Sequence, residues 1–304
     1  MPERKRKFAV YDVFSSKRLA GNPLAVVFEP DGLDDAAMQA IAGEFNLSET
    51  VFIWPAANKA HRANVRIFTP RRELPFAGHP TVGAAIAITE AAGGGEAPSI
   101  FVLEEKVGPV RCAVSRGPDG MFAEFDLPRL PEPMAFSADP AAVAASLNLD
   151  PHEIGFENHV VSAYSGGVPY ILVPVAGLAA AGKADLDTRA WMELTGPAEA
   201  LSPAAFVYCR ETLGAGNAFH ARMFAGHLGT PEDPATGSAV ASFAGAIMRF
   251  DRPVDGVGSY PIEQGIEMRR PSLIRLELDV RQGALAGARI GGNAVKVSEG
   301  TLTV

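Results

Sequence analysis

Gly78-His79-Pro80-Thr81-Val82-Gly83-Ala84-Ala85-Ile86-Ala87 and Glu232-Asp233-Pro234-Ala235-Thr236-Gly237-Ser238-Ala239-Val240-Ala241 are one pattern written twice. Laid together without gaps, His79 falls opposite Asp233, Pro80 opposite Pro234, Gly83 opposite Gly237 and Ala84 opposite Ser238. The copies stand 154 positions apart in a chain of 304. Upstream the pairing continues, Arg66-Ile67-Phe68 matching Arg222-Met223-Phe224, each reading as a strand that feeds a turn and then a small-residue helix. A period of half the chain implies a duplicated domain, with two similar sites facing one another across a pseudo-twofold axis.

The repeated segment has a physical use. Asp before Pro is a helix-start signal: the carboxylate can cap free N–H groups, and proline fits the first turn because it has no N–H to lose. Gly237 and Ser238 then fall in that first turn, where unpaired N–H groups and the positive dipole end attract an anion such as a carboxylate. Gly78 and His79 offer the same cradle in the first copy. The bland alternative is two well-capped core helices whose small residues allow close packing, but each copy presents a different polar side chain at the same place.

Around the repeat the elements read in order. KFAVYDVF (7–14) and PLAVVFEP (23–30) are β-branched and aromatic strands, separated by a turn at Gly21-Asn22-Pro23. Leu33 to Phe45 carries Met38, Ile41, Ala42 and Phe45 at helical spacing, with Asp34 as N-cap. Glu49 follows at a helix-to-strand junction before VFIW. After strand VRIF, the helix of the first copy is expected over Thr81 to about Ala92, ended by a Gly93-Gly94-Gly95 loop. Strands IFVLEE, GPVRCAV and MFAEFDL complete the first half. Pro128, Pro131 and Pro133 mark the sharpest composition break, where we place the linker. The second half repeats the scheme: a helix over about Ala138 to Leu147, strands HVVSAYS, PYILVPV and AAFVYCR, then FHARMF, the EDPATGS turn and a helix to about Met248.

Composition narrows the function. A hydrophobic content of 47% over this length supports two domains with cores of their own. A net charge of -8 leaves no basic footprint for nucleic acid or an anionic membrane. Arg4-Lys5-Arg6-Lys7 is followed by no apolar signal region, and no apolar run reaches the ~20 residues of a membrane span, so the expectation is a cytoplasmic protein. The cysteines, Cys112 and Cys209, sit in apolar strand contexts and read as buried thiols, with neither a disulfide nor a metal site implied. His61, His152, His159, His220 and His227 show no ligand spacing, and Gly214-Ala215-Gly216 lacks the context of a dinucleotide fingerprint. Glu49 has apolar residues near it on either side, Leu47 of Asn46-Leu47 before Ser48 and VFIW after it. Desolvation there would raise its carboxyl toward the range useful for proton transfer near neutrality. On spacing alone it could equally be a surface carboxylate in a turn.

The segments GNPLAVVFE (21–29), MQAIAGEFNLSETVFI (38–53), RIFTPRRELPFAGHPTVGAA (66–85), EDPATGSA (232–239) and IEQGIEMRRPS (262–272) resemble the PhzF-type phenazine-biosynthesis isomerases, relatives of diaminopimelate epimerase and the proline racemases. The resemblance covers nearly the whole chain and implies an α+β fold of two pseudo-symmetric domains, each a strongly curved, barrel-like sheet around a central helix. The first domain would span 1–128, joined by a C-terminal strand at about 294–304, and the second 129–293. The active site would lie in the cleft where the two helix N-termini converge.

By the same resemblance Glu49 is the general acid/base, His79 and Asp233 are its catalytic partners, and Ser48, Gly78, Gly237 and Ser238 contact the substrate. No cofactor or metal is required. The family's phenazine member moves a proton from C3 to C1 of trans-2,3-dihydro-3-hydroxyanthranilate, giving an enol that becomes a ketone. One carboxylate can remove and return a proton on the same face while His79 and Asp233 hold the polar substituents. The related racemases place two thiols at the helix starts, where this chain has His79-Pro80 and Asp233-Pro234. The implied function is a cofactor-independent isomerase of a small carboxylated metabolite, working as a homodimer. The alternatives are an epimerase or racemase using Glu49 with His79, and a non-enzymatic small-molecule binder of the same fold.

Overall fold

The computed structural model describes residues 4–94, 97–196 and 203–304. Gly95 of the expected glycine loop lies outside them. The chain divides into two compact units, one running to Pro128 and including Gly291–Val304, the other Arg129–Ile290.

The first unit is a ring of strands around a helix. Its elements are β1 (Lys5–Val13), β2 (Asn22–Phe28), α1 (Asp35–Phe45), β3 (Glu49–Trp54), β4 (Ala63–Phe68), β5 (Glu73–Leu74), α2 (Gly78–Ala91), β6 (Ser99–Glu105), β7 (Gly108–Gly117) and β8 (Gly120–Asp126). β1 pairs antiparallel with β2, β2 parallel with β3, β3 antiparallel with β4, and β4 parallel with β6. β6, β7 and β8 continue antiparallel. The last part of the chain's final strand pairs with both β8 and β1, so the ring closes and leaves no edge.

Helix α2 runs through this ring, packed on β1, β2, β3, β7 and β8. All its residues from Gly78 to Thr89 are buried, as a helix apolar on every side requires. Gly83 permits the approach: a Cβ there would run into the side chains of Leu24 and Val13. Helix α1 instead has one apolar face. Asp34 caps it by accepting from the Ala37 N–H at 2.8 Å, and Met38, Ile41 and Ala42 pack against Val27, Phe52 and Phe68.

The second unit repeats this connectivity. Its elements are β9 (Glu132–Pro133), α3 (Pro140–Ser146), β10 (Ser162–Ser165), β11 (Pro169–Pro174), α4 (Leu178–Lys183), α5 (Thr188–Thr195), β12 (Ala204–Cys209), β13 (Phe219–Ala225), β14 (Thr230–Asp233), α6 (Gly237–Phe250), β15 (Gly256–Gln264), β16 (Ser272–Arg281) and the first part of β17 (Ala284–Thr303). β10 and β11 are antiparallel, β11 and β12 parallel, β12 and β13 antiparallel, β13 and β15 parallel, and β15 and β16 antiparallel. This is the order of β1, β2, β3, β4, β6 and β7. Helix α6 takes the place of α2, packed on β9, β10, β11 and β16. A second core forms where Val143 of α3, Leu147 at its C-cap and Trp191 of α5 meet Ile171, Val173, Ala205 and Val207 of the sheet.

Three local expectations are corrected. The turn after β1 is not at Gly21-Asn22-Pro23, because Asn22 and Pro23 already pair with Val13 and Asp12. The reversal is made by left-handed Phe14, Leu19 and Gly21, so that of the three expected residues Gly21 belongs to it and Asn22 and Pro23 do not. Helix α2 begins at Gly78 rather than Thr81, with Pro80 accommodated in its first turn. Asp233-Pro234 does not start α6. Asp233 ends β14 and Thr236 is the N-cap, its hydroxyl donating to the Asp233 carboxylate at 2.5 Å.

Candidate active site

In the first unit, strand β3 and helix α2 bring two sequence-predicted residues together. Glu49 is the first residue of β3, fixed opposite Leu24 by the parallel pairing with β2. His79 is the second residue of α2. Its Nε2 lies 3.2 Å from Oε2 of Glu49, and the two side chains keep only 6% and 16% of their exposure. Burial pushes the His79 imidazole down to about 3, so at neutral pH it is uncharged. The pair is therefore a carboxyl group beside a neutral imidazole, sharing little water.

The neighbours fit this arrangement. Ser48 precedes Glu49 and is half-buried, and Gly78 is buried at the head of α2. No side chain caps the turn at Ala77. Arg66 on β4 donates to Glu73 from Nε at 2.7 Å, tying down the segment that leads into α2.

In the second unit, Asp233, Gly237 and Ser238 gather at the head of α6. Asp233 is buried, and a buried amide braces its turn. Gln264 Nε2 donates to the Asp233 carbonyl at 2.8 Å and to Thr236 Oγ1 at 3.1 Å, while Gln264 Oε1 accepts from the Thr236 N–H at 3.1 Å. Ser238 Oγ lies 2.7 Å from the Tyr170 hydroxyl on β11. Arg222 on β13 donates to Glu232 from Nε at 2.8 Å and from Nη2 at 3.0 Å, the counterpart of Arg66 with Glu73. Thr236, Gln264 and Tyr170 were not singled out by sequence reasoning. The signal for Gln264 was the IEQGIEMRRPS segment, which marks a resemblance but reveals no contact.

The two cysteines and two of the other histidines have structural places. Cys112 and Cys209 are buried free thiols. Burial pushes Cys112 well up and Cys209 up to about 12, so neither is poised to exchange a proton at neutral pH. His159 binds Tyr208 and Asp251, and His220 binds Glu263 and Glu267, as satisfied interior histidines. Among the described residues no group of three or more His, Cys, Asp or Glu side chains is arranged to hold a metal ion. Among them, too, no helix is long and apolar enough to cross a membrane.

Known proteins point the same way. The family model described as phenazine biosynthesis-like protein matches residues 11–300. The chain is 60% identical to an uncharacterized isomerase of Mesorhizobium japonicum, over 98% of this chain and 99% of that one. It is 33% identical to the trans-2,3-dihydro-3-hydroxyanthranilate isomerase of Pseudomonas fluorescens, again over 98% and 99%. The crystal structure of the PhzF-family phenazine biosynthesis protein of Bacillus anthracis superposes with a TM-score of 0.89 at 25% identity, covering 99% of this chain and all of that one.

Proposed function

The chain belongs to the phenazine biosynthesis-like (PhzF) family and is an isomerase, and from that premise we propose that it shifts a proton within a small carboxylated substrate of the trans-2,3-dihydro-3-hydroxyanthranilate type. Glu49 is the acid/base. Its carboxylate takes the proton from C3 as the ring electrons delocalise, and the same proton is returned at C1. The product is an enol that tautomerises to the ketone. No atom is gained or lost and no oxidant is needed.

The observation that carries this reading is the Glu49–His79 pair, nearly dry and 3.2 Å apart. A base that must accept a proton and give it back on one face needs to be fixed in direction. A neutral imidazole 3.2 Å away confines the carboxyl by close packing and adds no positive charge that would stabilise the carboxylate. Asp233 and Ser238, with Ser48, Gly78 and Gly237, are assigned to the substrate's polar groups. Their support is the family pattern and the bracing of Asp233 by Thr236 and Gln264. We take the two units as the family's two domains.

Incubating the purified chain with trans-2,3-dihydro-3-hydroxyanthranilate and following the ring protons by NMR tests the assignment. Loss of the C3 proton signal with appearance of one at C1 is expected. An unchanged spectrum at high enzyme concentration contradicts the substrate class.

A further inference from the structure

Strands β6 and β15 occupy the same place in the two units, and each ends in a pair of polar residues, Glu104-Glu105 and Glu263-Gln264. The first member of each pair does the same thing. Glu104 accepts from the backbone N–H groups of Ala57 and Asn58 at 2.9 and 2.8 Å, and Glu263 from those of Leu213 and Gly214 at 2.6 and 2.9 Å. The second member reaches the head of the central helix. Gln264 donates from its amide to Thr236 Oγ1. Glu105 lies with Oε1 2.8 Å from Thr81 Oγ1, in the first turn and a little more of α2.

The difference between an amide and a carboxyl now matters. Thr81 Oγ1 is also 2.8 Å from the carbonyl oxygen of Ala77, the usual back-bond of a helical threonine. A hydroxyl has one hydrogen, and a carbonyl oxygen cannot donate. If the hydroxyl hydrogen goes to Ala77, the contact with Glu105 needs its hydrogen from the carboxyl. The Ala77 carbonyl accepts from the Thr81 N–H at 3.2 Å as well, so it does not by itself decide the matter, but the other carboxyl oxygen of Glu105, Oε2, is buried with no hydrogen-bond partner among the described residues, and ionisation would leave charge on it in a site that is 7% exposed.

We propose that Glu105 is a positioning residue that carries a proton in the working protein and, as a neutral acid, donates to Thr81, holding the first turn of α2 with Gly78 and His79 in place. Burial acts in the same direction, pushing the carboxyl up to about 8. Near it is Cys112 of β7, whose thiol burial pushes well up, with Asp126 of β8 acting in the same direction. Lys106, next in the chain, turns its ammonium to Glu73 instead. Glu105 thus does with a proton what Gln264 does with an amide, and the first unit acquires a dependence on pH that the second lacks at this position.

The effect on turnover rests on the role of His79 proposed above; the effect on stability does not. A carboxyl whose folded pKa is raised stabilises the fold fully below its unfolded value, and that contribution is lost as pH rises through the folded value. Glu105→Gln keeps the shape and the donor but cannot ionise. Melting temperatures of the wild type and Glu105→Gln, measured from about pH 5 to about pH 9, should therefore separate progressively in favour of the variant. The turnover of trans-2,3-dihydro-3-hydroxyanthranilate should fall on the alkaline side in the wild type and less steeply in Glu105→Gln. Thr81→Val should lower kcat with little change in KM, and Thr81→Ser should restore it. Parallel melting curves would overturn the proposal whatever the activity. Diverging curves in a protein without turnover would leave the clamp standing and overturn the proposed activity instead.

Discussion

Glu49 and His79 lie 30 positions apart in sequence, and their meeting depends on β3 starting where α2 starts. Both residues were legible, because each sits in a short segment with a strong family pattern. Gln264, Thr236, Glu105 and Thr81 were not, since they act through long-range hydrogen bonds that neither period nor spacing records. A neutral His79 has a measurable consequence. Its folded pKa of about 3 lies below the unfolded value, so the folded protein binds fewer protons there. The stability this gives is complete above about pH 6.5 and is lost as pH falls toward 3. His79→Gln removes the titration, and its melting temperature is expected to decline less than that of the wild type between about pH 7 and about pH 4. Equal declines would show that His79 is charged, or titrates normally, in the folded state.

At the scale of elements, what could be read was whatever local chemistry decides. The α1 helix was expected from its apolar spacing and its Asp34 cap, and that cap is present. The starts of α2 and α6 were misplaced in opposite senses, with Pro80 put before its helix and Pro234 put inside the first turn of its own. The structure instead lets Pro80 into α2 and leaves Pro234 before α6, where the Thr236 N–H donates to Gln264 Oε1. Helix α2 fits inside its ring only because Gly83 has no side chain between Leu24 and Val13. Gly83→Val is therefore expected to destabilise the fold by about 1–3 kcal/mol or more, read as a lowered urea midpoint. An unchanged midpoint would mean that the strands yield and that the close approach is not a constraint.

For the whole molecule, the repeat at Gly78 and Glu232 was the most informative observation, and the two units do share one connectivity. β17 was only partly legible, as a strand at about 294–304, because nothing local distinguishes a strand that closes a ring from an ordinary final hairpin. Its end pairs with β1 from Ala294 to Thr303, so removing residues 294–304 exposes an edge of β1 and of the ring. That truncation is expected to lose cooperative melting and to aggregate, and a sharp transition at the wild-type temperature would contradict the closed ring. The proposed activity of the molecule rests on one carboxyl group. The most direct test is kcat for trans-2,3-dihydro-3-hydroxyanthranilate in Glu49→Gln against the wild type, with melting temperature measured on the same samples. Turnover lower by a factor of ~10² or more, at an unaltered melting temperature, is the expected result; wild-type turnover in the folded variant would contradict Glu49 as the proton carrier.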